Sequence, residues 1–512
     1  MKSRFMTLLL CLTLLTSGPL LSGCVGSGNT EDLTDGSVTA DEFVTQAPSA
    51  DTDATTPAVT VPDETPTEPD TSDSGTDTEP AMLELVKAGQ RRATYRILHD
   101  KGADAETVQA ANMLSVMIKS YTGCEVNIQD TSKNPAKKIL FNCDERAETA
   151  ELKATLSEGE FAIKVKPHAS GEGGDLLIAT TTYRSAYACA EYLMETFTTD
   201  EGALVVPMDL DVKGSEKEYT MITSSINKLR DPCILVEDGV YYAYGTGWTC
   251  YKNTSGDLGG SWQKVGTVAS VGNPDTDGGS HWAPEVHKYK GAYYMFTTYY
   301  NSVTEHRGCI ILKSDSPEGP FVEITNGHVT PADWDSIDGT LYVDPEGQPW
   351  MVFVHEWTCM PGGIGSFAAA KLSEDLTHFI SEPMELFKAN EPKWAVSGVT
   401  DGCWLYTTKE GELLMLWSNF DAFGYTVAVA RSSNGRLDGE WIHEKELLYS
   451  KAMTGEYDGG HAMIFTGLDG QMYLSFHSPN AAVGSRQERP VFLAIEEKDG
   501  RLVWAESEKA SD

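Results

Sequence analysis

The chain has 512 residues, with 76 acidic against 39 basic side chains and a formal net charge of −37. So acidic a balance argues against nucleic acid or anionic lipid as a partner. It suits a neutral substrate and solubility outside the cell.

The first segment is a processing signal. Lys2 and Arg4 precede an apolar run from Met6 to Leu15 that is too short for a transmembrane helix. Leu21-Ser22-Gly23-Cys24 then resembles a bacterial lipoprotein cleavage site. Residues 1–24 are expected to be a signal peptide, with lipid on Cys24 holding the protein at the extracellular face of a bacterial membrane. Residues 25–80 are rich in Thr, Ser, Pro and Gly, with 14 acidic and no basic side chains. They therefore carry −14 of the net −37 and leave −23 on the rest. Such a stretch cannot bury enough apolar surface to fold, so it reads as an extended tether.

Residues 81–213 read as a small α/β domain. Strands are expected at 93–98 and 138–141, with a hairpin from 161–165 and 175–179. A helix over 104–121 carries Val108, Ala111, Leu114 and Ile118 on one face, with Gly123 as its C-cap. A second helix over 182–197 is expected to bury Tyr187, Ala188, Tyr192 and Leu193. The order resembles the non-catalytic α/β domain that precedes the barrel in many hexosaminidases, without a sharp motif. It reads as a packing or spacer domain.

From residue 218 to 508 the texture is short strands, aromatics and tight Gly/Asp turns such as Glu237-Asp238-Gly239 and Leu468-Asp469-Gly470. Hairpins recur every 45 to 65 residues, starting near residues 222, 281, 336, 399 and 458. That period predicts five four-stranded blades of a β-propeller. The fold class is therefore multidomain, an N-terminal α/β domain followed by an all-β five-bladed β-propeller. Cys124, Cys143, Cys189, Cys233, Cys250, Cys309, Cys359 and Cys403 show no metal-type spacing and read as scattered thiols rather than disulfides.

The residues before each inner strand carry the chemistry, because those strands line the propeller axis. Arg230-Asp231-Pro232, His281-Trp282-Ala283-Pro284-Glu285, Ser336-Ile337-Asp338-Gly339 and Gly460-His461 occur in that order at blade spacing. Together they resemble the motifs of glycoside hydrolase family 43. The resemblance implies an inverting glycosidase with Asp231 as base and Asp338 as the carboxylate that raises and orients the acid. It also implies His461 as the ligand, through water, of a calcium ion on the axis, and no organic cofactor. The family's acid is usually Glu in Glu-Gly-Pro, but here Thr400-Asp401-Gly402 stands in that place. Asp is one methylene shorter, a deficit of about 1.3–1.5 Å. Two residues thus compete for the acid role, Asp401 and Glu356, the latter following the strand 350–353.

Trp282, Trp357 and Trp404 are candidate stacking platforms, and Glu285 and Arg489 candidate sugar ligands. The resemblance implies a polysaccharide or oligosaccharide substrate containing arabinose, xylose or galactose, with α-L-arabinofuranosidase the leading activity. Because the usual acid Glu is missing, a catalytically silent glycan-binding surface lipoprotein stands as the alternative. A binding propeller need not keep an acid–base pair at catalytic distance. The membrane is expected to be met through the lipid alone.

Overall fold

The computed structural model describes residues 81–507. The lipobox at Cys24 and the acidic tether lie outside these residues.

Five antiparallel sheets follow one another around an axis. Their innermost strands are Cys233–Glu237, Trp282–Tyr289, Ser336–Val343, Asp401–Thr407 and Gly460–Thr466, which begin blades 1 to 5. Blades 1, 3 and 4 have four strands. Blade 2 adds Ala269–Ser270 at its outer edge. The chain near residue 222 was expected to start blade 1, but Met221–Thr223 pairs with the third strand of blade 5, Val491 to Leu493. That pairing closes the ring and leaves blade 5 no free edge there.

The blades are held by apolar contact. One buried cluster lies between each neighbouring pair, such as Val352, Phe367, Met415 and Trp417 between blades 3 and 4. Central strands are therefore buried on both faces. This is why Leu413-Leu414-Met415-Leu416-Trp417 reads as a continuous apolar run instead of an alternation.

Residues 82–215 contain a six-stranded mixed sheet and the long helices Ala105–Thr122 and Tyr183–Phe197. Asp104 caps the first helix through Thr107 N, and Gly123 ends it in the left-handed conformation. Thr182 and Ser185 form a capping box on the second. That helix buries Ala186, Cys189, Ala190 and Leu193, a stripe shifted from the expected one; Tyr187, Ala188 and Tyr192 are only partly covered. The expected strand 93–98 is displaced to Arg96–His99. The region shares its apolar cluster with Ala452, from the short helix Lys451–Thr454 between blades 4 and 5. All eight described cysteines are free thiols, and only Cys359 is exposed.

Candidate active site

The inner strands share a local device at the mouth of the axis. In blades 2 to 5 the pairing register breaks between Trp282 and Glu285, Ile337 and Thr340, Asp401 and Trp404, and Gly460 and Met463. Each break contains one residue in the left-handed region: Ala283 (φ 43°), Asp338 (φ 55°), Gly402 (φ 47°) and His461 (φ 57°). Asp231 (φ 54°) occupies the corresponding place ahead of blade 1. Such bulges re-aim side chains, and left-handed non-glycine residues cluster where function holds them.

Three of these side chains, Asp231, Asp338 and His461, meet with Asp401, the residue before Gly402. His461 Nδ1 lies 3.2 Å from Asp401 Oδ1, 3.6 Å from Asp231 Oδ1 and 3.7 Å from Asp338 Oδ2. The Asp231 and Asp401 oxygens around that nitrogen can thus be at most about 7 Å apart. Asp231 also accepts from Thr246 Oγ1, and its backbone N–H donates to His477 Nδ1 at 3.3 Å. Gly402 N donates to Asp338 Oδ2 at 3.0 Å, and the Tyr425 hydroxyl donates to Asp401 Oδ2 at 2.6 Å. Gly402 is required by this crowding, since a Cβ there would stand 2.8 Å from His461 Cγ and 2.9 Å from its Cα.

The family model for glycosyl hydrolases family 43 matches residues 223–500. The chain belongs to glycosyl hydrolases family 43.

Among curated relatives, a probable arabinan endo-1,5-alpha-L-arabinosidase B of Aspergillus oryzae is 31% identical over 108 residues, 21% of this chain and 30% of that protein. The extracellular exo-alpha-(1->5)-L-arabinofuranosidase ArbA of Cellvibrio japonicus is 29% identical over 172 residues, 31% of this chain and 47% of that protein. The chain spans less than half the length of the curated relatives it matches. A solved endo-arabinase from Bacteroides thetaiotaomicron is 37% identical, covering 56% of this chain and 100% of that one, with a TM-score of 0.48.

In this family 43 chain the cluster sorts its charges by surroundings. Burial alone would raise the Asp231 carboxyl, but His461 and Arg230 beside it hold it below the usual carboxylate range. Burial and the neighbouring Asp401 push Asp338 well above that range. Burial opposes ionisation of Asp401 too, yet hydrogen bonds from His461, Asp338 and Tyr425 outweigh it and lower its pKa. Asp338 and Asp401 therefore share a proton held mainly on Asp338, as two close buried carboxyls do. His461 is desolvated, but the three carboxylates lift it to about 10. His477, buried and beside Arg230, falls to about 4 and stays neutral, as an acceptor from Asp231 N must.

Glu356 is not part of this cluster. It is buried against Arg307, which grips it through Nε at 2.6 Å and Nη2 at 2.9 Å. Arg307 favours the ionised form, but burial outweighs it and raises the Glu356 carboxyl above its usual range. Glu356 follows the end of the second strand of blade 3, Pro349–His355, one strand away from the axis. Trp282 is 36% exposed, with the Arg307 guanidinium 5.5 Å from its ring centre. Trp357 packs on the core between blades 3 and 4. Trp404 lies further down its strand, stacked on His287 at 5.3 Å and packed into two inter-blade cores. Glu285 is buried beside His287, 3.3 Å away, because it follows the Ala283 kink and descends the strand. Arg489 donates to Asn227 Oδ1 at 3.2 Å and to the Gln487 carbonyl, not to Glu488. Tyr425, Thr246 and His477 were not singled out, because each reaches the cluster from a second or third strand and not from the start of an inner one.

Asp338, Asp401 and His461 place one ligand-type atom each within 4.8 Å of one another. That set does not fit direct calcium binding. Calcium takes six to eight oxygens, whereas here one donor is nitrogen and its Nδ1 already faces three carboxylates.

Proposed function

We propose that the protein hydrolyses α-L-arabinofuranosyl bonds of arabinan-type glycans by an inverting acid–base mechanism. The observation that carries this is the convergence of Asp231, Asp338 and Asp401, from three blades, around His461. The names of the curated relatives, probable arabinan endo-1,5-alpha-L-arabinosidase and exo-alpha-(1->5)-L-arabinofuranosidase, support the substrate class. With Asp401 inside the cluster, the motive for a silent binding module falls away.

Asp231 is the base. Held ionised, it takes a proton from a water whose oxygen attacks the anomeric carbon. Asp401 is the acid and gives the proton it shares with Asp338 to the departing glycosidic oxygen. The C–O bond to the leaving sugar breaks as the new C–O bond forms. Asp231 ends protonated, and the Asp338–Asp401 pair ends one proton poorer. Inversion needs carboxyls about 6.5–9.5 Å apart to seat the water. The resting pair lies at or below the short end of that range, so a rotation of Asp401 away from His461 accompanies substrate entry. Placing the acid one residue ahead of the Gly402 kink is how a short Asp serves where relatives use Glu.

The test uses leaving groups. Dinitrophenol needs little protonation, so Asp401→Ala should slow natural glycans about 10²–10⁴-fold and dinitrophenyl glycosides far less. Asp231→Ala should slow both, and Glu356→Ala should show no such selectivity. A selective loss in Glu356→Ala alone reverses the acid assignment. Unchanged turnover in Asp231→Ala sinks the catalytic reading.

The same proposal has three wider parts. The lipobox supports anchoring at Cys24, and Cys24→Ala should leave the membrane fraction or remain an unprocessed precursor. We read residues 81–213 as an accessory α/β domain. The family pattern supports a calcium ion reached from His461 only through water, and EDTA should then lower the melting temperature.

A further inference from the structure

A cleft of about 630 Å³ lies apart from the carboxylate cluster, between the α/β region and the loops of blade 4. Its walls carry Tyr121, Tyr187, Trp394 and Phe423, with Glu191 and Glu446 between them. Tyr121, Tyr187 and Phe423 are only partly covered, so ring surface is open to the cavity. Trp394 is 9% exposed, and its buried indole N–H finds no acceptor among the described residues. Burial raises the Glu191 carboxyl, whose one ion-pair partner, Lys217, is 3.7 Å away and largely exposed.

Part of the cleft wall lies at the same end of blade 4 as Asp401. The inner strand of blade 4 starts at Asp401, and the next strand, Leu413–Asp421, returns to that end. The turn that follows, Asp421 to Gly424, forms part of the cleft wall through Asp421, Ala422 and Phe423. Asp421 fixes this turn by accepting from Phe423 N at 2.7 Å, Gly424 N at 2.9 Å and Ser450 Oγ at 2.5 Å. The next residue, Tyr425, donates to Asp401. One hairpin thus carries both the cleft wall and the partner of the acid. The turn lies one to two strand spacings from the inner strand, on the order of 10 Å.

We infer that this cleft is a distal binding site for a neutral pentose oligosaccharide, the continuation of the chain whose bond is cut on the axis. This rests on the arabinan-hydrolase reading above. Flat aromatic faces stack on sugar C–H surfaces, and a carboxylate with spare lone pairs accepts from neighbouring hydroxyls. The wall carries five acidic side chains against three lysines, Lys119, Lys393 and Lys445, a balance that disfavours an anionic ligand. A purely apolar one would leave the carboxylates unpaired. The site gives the α/β region a part in substrate binding and favours long chains over short ones.

Two variants of the full chain test this by opposite routes. Tyr121→Ala empties part of the wall. Ser120→Trp, at an exposed wall residue, fills the cleft. Steady-state kinetics on arabinan and on arabinotriose, with melting temperatures, are the measurements. Both variants should raise KM for arabinan about five- to tenfold and leave kcat unchanged. Both should cleave arabinotriose like the wild type. An arabinan KM equal to wild type in Ser120→Trp overturns the inference and leaves the hydrolase reading standing. That exposed position decides the matter if Tyr121→Ala melts early. Equal loss on both substrates also overturns it, because the cleft would then act on the catalytic cluster and not on chain length. A wild type that cleaves neither substrate refutes the hydrolase reading itself.

Discussion

His461 is the residue on which the site's electrostatics turn. A histidine raised from about 6.5 to about 10 stabilises the folded state fully below the lower value and loses that contribution as pH rises to the upper one. The melting-temperature gap between wild type and His461→Gln should therefore be widest near pH 6 and shrink toward pH 10. Thermal scans across that range check it, and a constant gap would place the role of His461 in packing alone. Tyr425 acts through another residue, since its hydroxyl positions Asp401. Tyr425→Phe should lower kcat on natural glycans by about 10- to 100-fold, the worth of one hydrogen bond to a charged group. Dinitrophenyl glycosides should be less affected, a split that a purely structural loss would not produce. Asp231, Asp338, Asp401 and His461 were legible because they stand in motifs directly before inner strands. Tyr425 was not, because its place beside Asp401 comes from two hairpin returns.

At the scale of elements, the repeated kink does the aiming. Blades 1, 3 and 5 use the kinked residue itself, as Asp231, Asp338 and His461, whereas blade 4 kinks at Gly402 and offers the residue before it. Gly402→Ala would put a Cβ 2.8–2.9 Å from His461 on a backbone at φ 47°. The expected cost is about 1–3 kcal/mol of stability, read by urea unfolding, together with loss of activity as His461 is displaced. A variant as stable and active as the wild type would show that the kink is not needed for aiming. Trp404 and Glu285 illustrate what motif reading omits. Each lies in a motif at an inner strand, but two or three residues beyond the start the strand has already entered the packed interior.

For the whole molecule, the ring is closed by the short strand Met221–Thr223, with Thr220 and Ser224 each adding a backbone hydrogen bond to blade 5. Ile222 pairs with Phe492 at the middle of that strand. Ile222→Pro removes a backbone donor and should cost about 3 kcal/mol or more. Denaturant unfolding should show a lowered midpoint, and an unchanged midpoint would mean the inter-blade cores alone hold the ring. The sequence by itself determined the five-blade period, the order of the motifs and the membership of Asp231, Asp338, Asp401 and His461 in one site. Those follow from local patterns of strands, turns and short motifs, which repeat along the chain. Only the tertiary structure decided which blade owns residues 221–223, that Glu356 pairs with Arg307, and that residues 82–215 border a cleft beside the hairpin that carries Tyr425. Each of these depends on contacts between segments tens to hundreds of residues apart, and packing, not local pattern, selects such partners.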